Sequence, residues 1–210
     1  SSRWTACGKS PAPSPEQFCY GNLGGRWGAE LKFAGYDALV VQGKSEKPVY
    51  LFLHDGMVEL KDASALWGKG SIETREILKS ELGSSARVAA IGPAGENMAT
   101  MANLLADNDA SGSGGLGAVM GSKRLKAVVA KGDHTVPMAD KQAVDKLRKE
   151  YLAALSNTQS RGYSFLQSFR KYGTGSHAAL SAQSGDSPVK NWGGIGVTDF
   201  PDVSGLEPDA

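Results

Sequence analysis

Apolar positions along the chain fall into short runs whose period changes near residue 137. Leu39, Val40 and Val41 between polar flanks predict a buried strand over 36–42, and Val49, Leu51 and Leu53 mark one face of a second over 48–53. His54-Asp55-Gly56 turns that run into a third over 57–60, an Asp-Gly pair between apolar runs being a hairpin signal. Ser71 precedes a helix over 72–82, with Ile77, Leu78 and Leu82 inward, Glu73 in the first turn and Gly83 as the stop. A strand follows over 87–91, then the break Gly92-Pro93-Ala94-Gly95. Met98, Met101, Ala102 and Leu105 stand at helical spacing and predict a helix over 95–106; Leu125, Val128 and Val129 predict a strand over 124–130.

Past Met138 the period is helical. Val144, Leu147, Tyr151 and Leu155 form the stripe of an amphipathic helix over 139–155. A shorter helix covers about 163–172, and Thr174 is the expected N-cap of a third that ends near Ser184-Gly185. The pattern predicts an α+β fold: a β-rich first domain over 1–137 and the helical start of a second over 138–210, with the boundary inside 132–137. The opening, without an initiator methionine, and the polar, proline-containing end read as a piece of a longer protein.

The stretch from Gly112 to Lys123 holds five glycines in its first ten residues and no charge before the closing lysine. Such backbone can approach a ligand closely and offer N–H groups to anionic oxygens, so phosphate is the first ligand to consider. Gly112, Gly114 and Gly117 can be read as G-x-G-x-x-G, but that fingerprint follows a strand and opens a helix. Here the expected order is helix, loop, strand. A Walker loop fails too, because Gly117 and Gly121 are too close together and Lys123 follows a serine.

Charge removes further classes. The 210 residues carry 23 basic and 22 acidic side chains, well mixed, for a formal net charge of +1, and no basic tract calls for nucleic acid. No apolar run reaches the roughly 18 residues of a membrane span. Cys7 and Cys19 form no C-x-x-C and read as passive thiols in a reducing cytoplasm. His54, His134 and His177 each stand alone, without a second ligand at metal spacing, and are read as non-catalytic. Trp27 and Phe33 are read as core.

Several blocks resemble the aldehyde ferredoxin oxidoreductase family. They are Asn22-Leu23-Gly24-Gly25-Arg26-Trp27-Gly28 running on through Asp37, Gly43-Lys44-Ser45-Glu46-Lys47-Pro48-Val49-Tyr50, Leu66-Trp67-Gly68-Lys69 and Ile91-Gly92-Pro93-Ala94-Gly95-Glu96-Asn97. The glycine stretch 114–123, Tyr172-Gly173-Thr174 and Pro188-Val189-Lys190-Asn191 continue the series in order. The resemblance implies a tungsten (or molybdenum) bis-pyranopterin beside a 4Fe-4S cluster in an anaerobic oxidoreductase. It makes 1–137 a pterin-binding base domain lacking its N-terminal part, with the cluster cysteines beyond Ala210. It also implies further domains of the same enzyme and ferredoxin or another electron-transfer subunit as partners.

By position, Arg3 resembles the arginine between pterin and cluster, and Asn22 and Gly24 resemble residues at the pterin phosphates. Ala110 and Gly112 resemble backbone contacts to the second pterin, and the carbonyls of Asn22 and Ala110 resemble ligands of a bridging Mg2+. Gly25, Asp109, Ser113 and Gly114 complete the expected cofactor-binding set; no catalytic side chain stands out. Asp109 and Ser113 occupy positions where aldehyde-oxidising members carry arginines. Residues 108–112 look closer to the branch that contains the tungsten subunit of ATP-independent benzoyl-CoA reductases. The expected substrate is therefore an aldehyde or an acyl-CoA thioester; the other reading is a non-catalytic pterin-binding or structural subunit.

Overall fold

The computed structural model describes residues 3–107 and 110–207, without the side chain of Arg161; Asp109 of the expected site set lies outside the described residues. The chain forms two compact units, 1–137 and 138–210.

The first unit is a six-stranded sheet with a separate two-stranded ribbon. The ribbon pairs β1 (Trp4–Ser10) with β2 (Gln17–Leu23), and α1 (Trp27–Phe33) follows it. Then come β3 (Val49–His54), β4 (Met57–Asp62), α2 (Ser71–Leu82), β5 (Arg87–Ala90), α3 (Pro93–Glu96), β6 (Leu104–Ala106), β7 (Ala110–Gly112), α4 (Leu116–Ser122) and β8 (Leu125–Lys131). The sheet order is β4-β3-β8-β5-β6-β7, with only β3 and β8 parallel.

Central β8 is buried on both faces, which is why it reads as an apolar run without alternation. One side carries Leu23, Trp27, Leu31, Leu53, Leu104, Leu116 and Val128; the other carries Tyr50, Phe52, Leu66, Leu78, Val88 and Val129. The buried Trp27 indole donates to the Val128 carbonyl at 3.0 Å, tying α1 to the sheet. Trp4 packs on Trp27 with ring centroids 4.3 Å apart and donates to the Gly24 carbonyl at 3.1 Å, tying the ribbon to α1.

The β3–β4 hairpin closes through Asp55 and Gly56 at φ 48° and 73°, the left-handed pair that a two-residue turn between twisted strands requires. Helix α2 ends at Gly83, as expected from its sequence.

Three expectations for this unit fail. Residues 36–42 are not a strand: they pair with no neighbour, Leu39 and Val41 pack on the core, and Val40 is 80% exposed. The helix over 95–106 is absent. The short α3 ends at Glu96, Met98 sits at φ 55°, and the segment returns as β6, with Met101 80% exposed. Its helical spacing is overridden because residues 99–103 wrap the start of α4, where the Gly117 N–H donates to the Ala102 carbonyl at 2.9 Å. The glycine stretch therefore follows a strand, β7, and opens a helix, α4, against the expected order. The dinucleotide reading still fails, since the strand pairings make β7 antiparallel to β8 and leave no parallel βαβ unit.

The second unit contains α5 (Lys141–Leu155), α6 (Arg161–Tyr172), α7 (Ala178–Ser184) and α8 (Gly196–Asp199). Asp140 caps α5 through the Ala143 N–H at 2.9 Å. The α5 stripe is uncovered, with Leu147 64% and Tyr151 66% exposed. Thr174 lies inside a 3-10 turn, Gly173–His177, so α7, with His177 at its N-cap position, begins three residues later than expected, and the Gly185 stop at φ 82° closes it. Phe165, Phe169 and His177 form a ring cluster with centroids 4.6 to 5.1 Å apart.

Candidate functional site

A concavity of about 700 Å³ opens in the first unit where the ends of β1 and β2 meet β5 and β7. Arg3, Asn22, Leu23, Gly24, Gly25 and Arg26 line it from the ribbon and the turn into α1. Arg87, Asp107, Ala110 and Ser111 line it from the sheet. Among the described residues three arginines and one aspartate line the space, an excess of positive charge that would favour an anion there.

Asp107 organises the rim. Its backbone is left-handed, at φ 51°. One carboxylate oxygen accepts the Arg26 and Trp27 N–H groups at 2.6 and 2.8 Å, and the Asp107 carbonyl accepts from the Arg75 guanidinium. Gly25 wraps this carboxylate at φ 78°, and a Cβ there would land on the Asp107 oxygen. Asp107 Oδ1 faces Arg87 Nε at 3.9 Å; both atoms are buried without a hydrogen-bond partner.

Of the expected site residues, Arg3, Asn22, Gly24, Gly25 and Ala110 line this concavity, and Arg3 Nη1 reaches the Asn22 carbonyl at 3.4 Å. Gly112, Ser113 and Gly114 are not among its lining residues. Packing also constrains glycines in this region. A Cβ on Gly21 would come within 2.8 Å of the Gly112 Cα, where the ribbon crosses β7, and a Cβ on Gly114, at φ 74°, would meet Cys19 Sγ.

Sequence reasoning missed Arg26, Arg87 and Asp107. Arg26 directly follows the glycine pair, and Arg87 is the only charge in the run Arg87-Val88-Ala89-Ala90-Ile91. Those are faint signals. Asp107 gives none, because its partners lie 80 residues away in sequence.

His54 is placed elsewhere. It stacks on Phe52 at 4.2 Å between Asp55 (2.9 Å) and Glu59 (2.6 Å), and hydrogen bonds to Asp55 and then Glu59 raise its pKa above the ordinary 6.5. Among the described residues no three His, Cys, Asp or Glu side chains are grouped to hold a metal, and no helix is long and apolar enough to cross a membrane. Cys7 and Cys19 are free thiols, exposed and half-buried.

Residues 1–132 match the family model described as the aldehyde ferredoxin oxidoreductase N-terminal domain. The chain belongs to the aldehyde ferredoxin oxidoreductase family. The tungsten-containing aldehyde ferredoxin oxidoreductase of Pyrococcus furiosus is 47% identical over 173 residues, covering 81% of this chain and 28% of that relative. An aliphatic sulfonate oxidoreductase WOR-like subunit of the same organism is 36% identical over 186 residues, with the same two coverages. A solved structure, the active-site complex BamBC of benzoyl coenzyme A reductase with 1,5-dienoyl-CoA, matches with a TM-score of 0.70 at 40% identity. That match covers 76% of this chain and 24% of the other. The chain thus spans about a quarter of the length of these relatives.

Proposed function

We propose that this chain is the cofactor-holding portion of a tungsten (or molybdenum) iron-sulfur oxidoreductase, and that the concavity seats the phosphate end of a pyranopterin. The observation that carries the reading is the convergence of Arg3, Asn22, Gly24 and Ala110 on one cationic hollow, in a family with tungsten-containing members. The residues present fit such a group. Guanidinium groups pair with phosphate oxygens, and Gly24 and Gly25 put no side chain into the space. Asn22 and Ala110 have main-chain carbonyl oxygens of the kind that Mg2+ takes, and we assign both to a bridging Mg2+.

When bound, the tungsten pterin supplies the redox chemistry, and the chain supplies placement and charge. Two cysteines cannot provide the thiolate set of a 4Fe-4S cluster, so its ligands are assigned to other parts of the enzyme. The substrate is an aldehyde or an acyl-CoA thioester, the electron partner ferredoxin or another electron-transfer subunit, and the compartment the cytoplasm.

The test is Gly24→Leu in the full-length enzyme, purified anaerobically. The nearest atom to a Cβ there is Arg3 Nη1 at 3.9 Å, so the leucine fits the backbone and fills the hollow. The expected result is loss of most of the tungsten and of the pterin released on oxidation, with an unchanged melting temperature when both proteins are compared free of cofactor. Equal content in variant and parent refutes the seat.

A further inference from the structure

The concavity contains a cation whose hydrogen-bonding capacity no described residue uses. Arg87 starts β5, and its side chain is 25% exposed on the wall of the hollow. Its one contact among the described residues is the 3.9 Å approach of Nε to Asp107 Oδ1, an ion-pair distance but too long for a hydrogen bond. A guanidinium has five N–H donors in a planar fork. Here none is taken by a described protein group, and the buried Nε lacks even a water-exposed face.

The Asp107 opposite it is not free to swing. Its other oxygen holds the Arg26 and Trp27 N–H groups, its N–H donates to the Val88 carbonyl at 3.3 Å, and its carbonyl takes the Arg75 guanidinium. Arg87 is thus held on one side by a fixed carboxylate and presents its fork to the space on the other. Arg26 on the facing turn adds a second positive charge.

We propose that Arg87 is the oxyanion-binding side chain of this concavity, and that the group it takes is a phosphate monoester or diphosphate. The proposal rests on the reading of the hollow as a ligand seat and names the chemistry recognised there. A planar, permanently charged fork suits tetrahedral phosphate oxygens, which it meets through two parallel N–H bonds. The phosphate belongs either to the bound cofactor or to free phosphate, and two measurements separate these sources.

In the first, full-length enzyme made without the pterin is titrated calorimetrically with inorganic pyrophosphate. In the second, anaerobically purified loaded enzyme is assayed for tungsten and released pterin. Parent, Arg87→Gln and Arg87→Lys are compared, with Arg148→Gln on α5 as a charge control. The expected result is that Arg87→Gln binds pyrophosphate about tenfold more weakly or worse, the size of one charge-assisted contact. Arg87→Lys should fall between, and Arg148→Gln should match the parent. Cofactor retention should follow the same order.

Pyrophosphate binding that depends on Arg87, with equal tungsten and pterin retained by parent and Arg87→Gln, supports the oxyanion site and assigns it to free phosphate instead of the cofactor. A parent that does not bind pyrophosphate, or an Arg87→Gln protein equal to it in affinity and retention, overturns the proposal. If the glutamine variant melts early, Arg87→Lys decides: an affinity equal to the parent's overturns the proposal, because an ammonium cannot reproduce the fork.

Discussion

Lys126 and Glu96 form a buried ion pair between β8 and α3, with side chains 0% and 4% exposed. Lys126 Nζ also donates to the Lys69 carbonyl at 2.6 Å, and the second Glu96 oxygen accepts the Gly68 N–H at 2.8 Å. Lys126→Met keeps an unbranched chain of similar length but leaves a buried carboxylate with a single N–H partner. Breaking one side of such a pair costs about 3–5 kcal/mol, because the remaining charge is neither hydrated nor matched. By contrast, Lys69–Glu73, at 35% and 55% side-chain exposure, is worth about 0–1 kcal/mol as a surface pair.

The double variant Lys126→Met with Glu96→Gln removes both charges and should recover about 2 kcal/mol of the loss, the coupling of a contacting pair. Urea denaturation followed by tryptophan fluorescence reads the midpoints, and hydrogen exchange over β8 and residues 66–70 localises the change. A loss under about 1 kcal/mol for Lys126→Met, or additive effects in the double variant, would refute the account of a buried, mutually dependent pair.

Gly25→Ala combines a left-handed position at φ 78° with a methyl on the Asp107 carboxylate; it should cost at least about 1–3 kcal/mol and release cofactor, and an unchanged melting temperature counts against it. Gly114→Ala should destabilise through Cys19 Sγ as well as through φ, so adding Cys19→Ala should leave only the backbone strain of about 1–2 kcal/mol; equal losses with and without the second change would dismiss the contact. His54 has a raised pKa, so its stabilising pairing with Asp55 and Glu59 is complete below the ordinary value of 6.5 and is lost as pH climbs through the folded pKa. The denaturation midpoint of the parent relative to His54→Gln should therefore be most favourable near about pH 6 and decline on the alkaline side, and a pH-independent difference would exclude the linkage.

The local elements whose cause lies inside one segment were legible in the residues. Asp55-Gly56 supplies the two left-handed positions of a hairpin, Gly83 stops α2, and the run 124–130 read as a strand is β8 over Leu125–Lys131. The family blocks likewise pointed to Arg3, Asn22, Gly24, Gly25 and Ala110, which the folded chain brings to one concavity.

What the sequence could not supply depends on neighbours that are distant in the chain. Residues 36–42 have strand-like apolarity, but a strand needs a pairing edge and none reaches them. Residues 95–106 have helical spacing, but close packing against the start of α4 unwinds them. At Gly114, read from the sequence as part of a ligand cradle, β2 also brings Cys19 against the backbone, a contact the sequence does not announce. The Arg87–Asp107 pair exists because the β5–β6 register sets Ala89 opposite Ala106, so the next residue, Asp107, comes beside the start of β5. Periodicity and turn chemistry act over a few residues, whereas charge at a site is assembled by strand register across the sheet, and only the tertiary structure sets that register.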